Sequence, residues 1–328
     1  MLSLDAAQAK LLGGVAPLPV ETVLLDAAAG RWTAADIVAT RTQPPFAASA
    51  MDGYAIRWAD LPGPWTVIGE AAAGRRFPGT VGASEAVRIF TGAPLPDGAD
   101  TVVVQEDVEQ IGGMLRLTGD GPPSLGSHVR PAGLDFASCD TIVAAGERLT
   151  SARLALAASG GHAEVPVRRA PQVVLLATGD ELVPPEATPG PDQIVSANGV
   201  MLAALLRAEG CRVTDGGIVP DRADALDAAL ATARTADVIV TIGGASVGDH
   251  DLVLPALQRA GARVDFWKVA IKPGKPIMTG TLGRAHVVGL PGNPVSAFVC
   301  AQLFLLPLVR ALQGAARPLP VTVEARTA

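Results

Sequence analysis

Three lysines within eight residues are the first sign of chemistry in this sequence. The chain carries 26 basic side chains, yet only Lys10, Lys268, Lys272 and Lys275 are lysines. The last three fall in Trp267-Lys268-Val269-Ala270-Ile271-Lys272-Pro273-Gly274-Lys275-Pro276. Arginine supplies positive charge elsewhere, so the cluster points to compact, flexible point charges set out for an anion. Glycine turns flank it. Upstream, the apolar run 236–242 breaks into Gly243-Gly244-Ala245-Ser246-Val247-Gly248-Asp249-His250-Asp251; downstream, 285–289 ends in Leu290-Pro291-Gly292-Asn293-Pro294. Glycines at a strand-to-helix turn let backbone N–H groups close on a phosphate, with the positive end of the next helix behind them. An extended chain puts Lys268 and Lys272 on one face, and the Pro-Gly turn brings Lys275 beside them. A solvated basic strand end is the plain alternative; the position between two glycine loops favours an anion site.

Acids fall at matching places. Asp180 with Glu181, Asp221, and Asp249 with Asp251 each follow a run expected to be a strand. In open parallel sheets ligands bind outside the carboxyl ends of the strands. Carboxylates gathered there, beside phosphate-type loops and lysines, suit Mg²⁺, which takes one or two carboxylates plus phosphate and water oxygens. Any one of these acids is equally well a helix cap. Two other stretches stand out, Ser49-Ala50-Met51-Asp52-Gly53-Tyr54-Ala55, with the only tyrosine, and Phe90-Thr91-Gly92-Ala93-Pro94-Leu95-Pro96. Asp52 precedes glycine, a turn signal, and Thr91 either caps a turn or meets a ligand oxygen. Taken singly, both are structural.

The elements that must position these residues alternate in type. From Pro171 onward strands are expected at 172–177, 212–214, 236–242 and 285–289, with helices at 198–209 and 222–235 between them. This is the signature of a parallel sheet with crossover helices. Val295–Leu312 is apolar enough to approach membrane length, but Gln302 interrupts it, Pro307 is expected to break it, and it reads as a buried helix. Residues 41–139 are β-rich, with strands at 66–68, 86–90 and 101–104 and a hairpin at Gly112-Gly113. Before them come a helix at 4–14 and a helix or helix–turn at 21–40; after them 140–170, with a helix near 154–158 and a strand at 163–167, is expected to pair with 21–40. The domains read as an α/β domain (1–20 and 171–317), a linking or dimerisation segment (21–40 and 140–170), an inserted β domain (41–139) and a tail (318–328).

Composition sets the bounds. Hydrophobic residues at 49% and charged residues at 18% describe a packed globular chain. A net charge of −6 argues against general nucleic-acid binding. Cys139, Cys211 and Cys300 stand singly and the four histidines lack metal-ligand spacing, so neither a disulfide framework nor a zinc site is indicated. The first residues lack a signal-type pattern, and a cytoplasmic protein without a membrane span is expected.

Six motifs occur in the order of one family: Ser49–Ala55, Thr91-Gly92-Ala93-Pro94, Thr178-Gly179-Asp180-Glu181-Leu182, Gly243–Gly248, Ile271–Pro276 and Gly289–Pro294. The chain resembles the molybdopterin molybdenumtransferases, or molybdenum insertases, the family that includes the E domain of gephyrin. The resemblance spans essentially the whole chain. It implies a Mg²⁺-dependent reaction in which adenylated molybdopterin and molybdate give molybdenum cofactor and AMP. Carried over by position, it assigns catalytic roles to Asp52, Thr91, Glu181, Asp221, Asp251, Lys272 and Lys275. Glu181, Asp221 and Asp251 would serve Mg²⁺, and the lysines oxyanions. Gly243, Gly244, Ser246, Gly248, Pro273, Gly274, Pro291, Gly292 and Asn293 would line the ligand.

The resemblance further implies a homodimer whose sites combine the α/β domain of one subunit with the β domain of the other. The molybdopterin adenylyltransferase acting one step earlier would be a partner. Two departures matter. The family's Arg-rich loop ends in Gly-Glu-Asp, whereas here Arg130-Pro131-Ala132-Gly133-Leu134-Asp135 has Leu134 for the acid. Family members generally continue into a further small β domain, and this sequence stops at Ala328. The alternative is therefore a catalytically weak molybdopterin-binding or scaffold protein. The adenylating enzyme itself, a third reading, is disfavoured by the Ser49–Ala55 motif and the inserted β domain.

Overall fold

The structure, a computed structural model, describes residues 1–243, 252–274 and 276–323. The chain divides into two compact units, one of residues 1–37, 143–154 and 163–328, the other of residues 38–142 and 155–162.

The first unit is built on a six-stranded sheet. Its strands lie in the order 212–219, 172–178, 238–242, 285–290, 276–282, 263–268. The first four are parallel, and 276–282 runs antiparallel to both its neighbours, forming a hairpin with 285–290. An all-parallel sheet was the expectation; the hairpin arises because 276–282 and 285–290 are joined by only two residues, too few for a crossover.

Alternation along the strands feeds two cores. Val240, Ile242, Val288 and Leu290 face Leu202, Leu206, Phe304 and Leu308. Leu176, Ile239 and Val287 face Leu226, Leu230, Val253 and Leu257 on the other side. The sheet is thus sandwiched, with helices Leu4–Leu12, Ala197–Ala208 and 294–312 on one face and Ala223–Ala233 and Val253–Arg259 on the other.

Helix 294–312 is long and apolar enough to cross a membrane by length and composition, yet Ala297, Cys300, Ala301, Phe304, Leu305, Leu308 and Val309 are all fully buried in this core. Pro307 does not break it. A π-type turn at Ala301–Leu305 runs directly into Leu306–Leu312, and this wider turn accommodates Pro307, which has no N–H to pair, inside a continuous helix.

Residues 21–40 do not form the expected helix. Val20–Leu24 is a strand, antiparallel to Glu164–Arg168 in register from Val20↔Arg168 to Leu24↔Glu164, followed by a 3₁₀ turn at Leu25–Ala28. Val20, Thr22 and Val23 are β-branched, and their side-chain stiffness favours the pairing over a helix.

The second unit holds its own six-stranded sheet, in the order 101–104, 53–56, 85–89, 65–71, 114–117, 108–111. Gly112 and Gly113, at φ +59° and +84°, close the hairpin between Val108–Ile111 and Met114–Leu117. Both central residues of that turn need positive φ, which glycine adopts without a Cβ penalty. Trp65 is fully buried among Ile56, Ala86, Val103 and Leu115.

At the amino end of the first unit's sheet, Asp237 ties three elements together. Its carboxylate accepts from both Arg169 Nη atoms, at 2.9 and 2.8 Å, and from the Gln172 N–H at 2.8 Å. Asp237 is nearly inaccessible, and the hydrogen bond to it raises the Arg169 pKa above its ordinary value. Asp237→Ala strands the guanidinium and an N–H. We expect it to lower stability by about 2–3 kcal/mol in urea unfolding, with the m-value unchanged.

Candidate functional site

At the opposite, carboxyl end of the parallel strands the loops converge. Gly243 follows the fully buried strand 238–242, and its N–H donates to the Leu290 carbonyl at 3.0 Å. Its φ is +95°, and a Cβ there would lie 2.8 Å from the Thr178 carbonyl oxygen. Only glycine fits between these two strand ends. Gly292 is its neighbour: a Cβ on it would sit 3.8 Å from Gly243 Cα, an ordinary contact. Gly243 and Gly292 thus stand side by side, both lining a cleft of about 520 Å³.

Two helix N-termini open on this cleft. Helix 294–312 starts at Asn293, whose Oδ1 accepts from the Ser296 N–H at 3.1 Å. Helix Ala197–Ala208 starts after Ser196, and the Asn198 Nδ2 donates to the Gly292 carbonyl at 2.6 Å. Ser196, Ala197, Asn198, Gly292, Asn293 and Pro294 all line the cleft. Each N-terminus carries roughly half a positive charge and unpaired N–H groups. Among the described residues the cleft lining holds no lysine or arginine, so these helix ends are what it offers an anion.

Acids stand on the facing wall, where Glu181 and Asp221 line the cleft. The Asp180 carboxylate accepts from the Asp221 N–H at 3.0 Å, which fixes the two strand ends together. Asp221 reaches solvent, but burial of its carboxyl, then the charges of Asp180 and Glu181, push its pKa above the usual carboxylate range. A divalent cation would relieve that repulsion. Among the described residues no ready-made group of three metal-binding side chains exists.

The lysine segment is placed differently from the sequence expectation. The strand 263–268 ends at Lys268, so Lys268 and Lys272 do not share a strand face. The cause is Leu2, whose N–H donates to the Lys268 carbonyl at 2.9 Å and whose carbonyl accepts from Ala270 at 2.8 Å, leading the chain out of the sheet. Val269 is buried there, and Lys272 is exposed in the loop that follows. Lys272, Pro273 and Gly274 do not line the cleft; Gly274 instead rests on helix 294–312 through Cys300. Pro291 precedes Gly292 at the cleft floor. Gly244, Ser246, Gly248, Asp251 and Lys275 lie outside the described residues.

Asp52 and Thr91 belong to the second unit, and they bind each other. Asp52 Oδ1 accepts from both the Thr91 N–H and the Thr91 hydroxyl, each at 2.8 Å. These bonds, the backbone one first, hold the Asp52 carboxyl below its ordinary pKa, helped by the charge of Arg88. Arg88 itself lies over the rings of Tyr54 and Phe90, 5.1 and 4.9 Å from their centroids. The two motifs thus form one built turn with an anionic tip. Sequence reading missed Asn198. The apolar cleft wall of Leu182, Ile194 and Val195, from the short parallel pair 182–183 and 194–195, was missed as well. Neither had a signal stronger than a polar residue at a helix start or two short apolar pairs.

The Asp52–Thr91 pair sets a pH dependence. A depressed carboxyl contributes stability that is fully present above the ordinary value near 3.8 and lost as pH falls through the lowered one. Thr91→Val removes the hydroxyl bond and keeps the backbone one. The Asp52 pKa, followed by carboxyl NMR, should rise part of the way toward its ordinary value, and acid unfolding should begin at higher pH.

A family model described as the MoeA N-terminal region (domain I and II) matches residues 2–161, and one described as a probable molybdopterin binding domain matches residues 174–311. The molybdopterin molybdenumtransferase of Haemophilus influenzae is 40% identical over 319 residues, covering 96% of this chain and 78% of that protein. The Nostoc sp. protein of the same name is 36% identical, covering 94% and 73%. Two crystal structures of molybdopterin biosynthesis MoeA proteins from Pyrococcus horikoshii superpose with TM-scores of 0.77 and 0.79 at 32% and 27% identity. They cover 96% and 97% of this chain and 80% and 81% of theirs. On the strength of these matches along both of its parts, the chain belongs to the molybdopterin molybdenumtransferase family.

Proposed function

We propose that this chain inserts molybdate into adenylated molybdopterin, with Mg²⁺ and with release of AMP. One observation carries the reading above all. Gly243, Gly292 and two helix N-termini line a cleft whose other wall carries Glu181 and Asp221. Backbone donors and helix ends suit phosphate oxygens, and the acids suit a cation shared with those oxygens. A phosphoanhydride lying across the cleft satisfies both walls at once. The apolar wall of Leu182, Ile194 and Val195 gives a flat heterocycle a surface to rest on.

Cleavage of the anhydride leaves negative charge on the departing phosphate oxygen. Donors already aimed at that oxygen stabilise it without reorganising, which is where rate acceleration arises. Glu181 and Asp221, with Asp251, would hold Mg²⁺, which neutralises phosphate charge when bound. Lys272 and Lys275 would hold molybdate as a second oxyanion, and Pro273, Gly274 and Pro291 would shape the loops around it. Gly243, Gly244, Ser246, Gly248, Gly292 and Asn293 would receive the pterin phosphate. Asp52 and Thr91 would act from the β unit of a partner subunit in a homodimer.

The test is AMP release from purified protein given adenylated molybdopterin, Mg²⁺ and molybdate. We expect molybdate-dependent release, about 10²–10³-fold slower in Asp221→Asn. Lys272→Ala should raise the molybdate concentration needed while leaving thermal stability unchanged. Binding of the adenylate without any release would leave the scaffold reading in its place.

The shared-site dimer makes a separate demand. Asp52→Ala and Asp221→Ala homodimers should each be inactive, while their heterodimer keeps one intact site. Random exchange makes about half the dimers mixed, so about a quarter of all sites should recover. A silent mixture with exchange verified rules the arrangement out.

A further inference from the structure

Helix 294–312 begins at one candidate oxyanion loop and two turns later touches the other. Asn293 caps its N-terminus, and Gly292 just before is tied to Asn198. Seven residues on, about 10 Å along the axis, the Cys300 thiol donates to the Gly274 carbonyl at 3.4 Å. Cys300 is fully buried, and burial pushes its pKa up to about 11. It is therefore a neutral thiol, a donor rather than a nucleophile.

The fit at this contact is close. Gly274 has φ +93°, and a Cβ there would come within 2.6 Å of the Cys300 sulfur. The loop backbone lies directly on the thiol, and no side chain fits between them. At its other end the lysine segment is held by Leu2, at Lys268 and Ala270, and by the Ile271 N–H on the Val269 carbonyl at 2.9 Å. Between the two anchors stands Lys272, followed by Pro273, which offers no N–H. The thiol is thus the anchor on the glycine side of the lysine turn.

We propose that Cys300 is a positioning residue for oxyanion binding. Its thiol fixes the Lys272-Pro273-Gly274 turn to the same helix that starts at the Gly292 loop. The helix then acts as a rigid spacer between two anion-binding points. This inference rests on the reading that these loops hold oxyanions, and the experiment separates the two.

The full chain is compared as wild type, Cys300→Ala, Cys300→Ser and Lys272→Ala. Hydrogen exchange is followed on the peptide covering 268–274, and molybdate and inorganic phosphate affinities by calorimetry. In Cys300→Ala the 268–274 amides should exchange about 5-fold faster, while strands 172–178 and 238–242 keep their protection. Its molybdate Kd should rise about 3–10-fold, the range expected for one lost hydrogen bond. Cys300→Ser restores a donor and should bring both readouts to within about twofold of wild type.

Should Cys300→Ala fail to fold, Gly274→Ala displaces the turn with the thiol intact and should give the same local signature. Unchanged exchange at 268–274, or loosening spread evenly over the sheet, overturns the proposal whatever the binding data show. Wild-type molybdate affinity in Lys272→Ala overturns instead the oxyanion reading of the loop, and the exchange data still judge the thiol.

Discussion

Everything at the site depends on one close approach, Gly243 held between the Thr178 carbonyl and the end of strand 285–290. A side chain at this point would push apart the central strand and its neighbours. With glycine, three parallel strands end together, and Gly243 and Gly292 stand side by side. The central strand, fully buried over Val238–Ile242, supplies the rigidity. The cost is backbone held at positive φ, which packing on both sheet faces sustains.

From that constraint the electrostatics follow. Parallel strands deliver every following helix with its N-terminus toward the same end of the sheet, so partial positive charge gathers beside Gly243 and Gly292. The acids arrive there by the same geometry, as residues just beyond strand ends. One wall repels cations and attracts anions, while the other does the reverse. On that second wall burial of the Asp221 carboxyl, and then the charges of Asp180 and Glu181, push its pKa above the usual carboxylate range. Arg169 and Asp237 secure the far end of the sheet.

Much of this was legible in the chain itself. Runs such as Val238–Ile242 carry their burial in composition, and the glycines after them carry the loop geometry. Gly112-Gly113 announced its hairpin for the same reason. What escaped was decided by partners distant in sequence. Val20–Leu24 reads as helix until Glu164–Arg168 is beside it. Lys268 and Lys272 share a face only if the strand continues, and Leu2 ends it. Pro307 looks like a stop because a π turn leaves no trace in composition. Asn198 looked ordinary because its function lies in a bond to Gly292, nearly a hundred residues away. The Glu181 and Asp221 positions were legible, but their crowding was not, since it needs the distance between two loops.

The central claim is that the carboxyl ends of strands 172–178, 238–242 and 285–290 form the phosphate cradle. It is most directly measured by titrating isotope-labelled protein with adenylated molybdopterin and Mg²⁺ and following backbone amides by NMR. The account predicts saturable downfield shifts that are largest at Gly243, Gly292 and the first turn of helix 197–208, with Arg169 and Gln172 at the far end of the sheet unmoved. Saturable binding that leaves Gly243 and Gly292 in place and shifts amides elsewhere would contradict it.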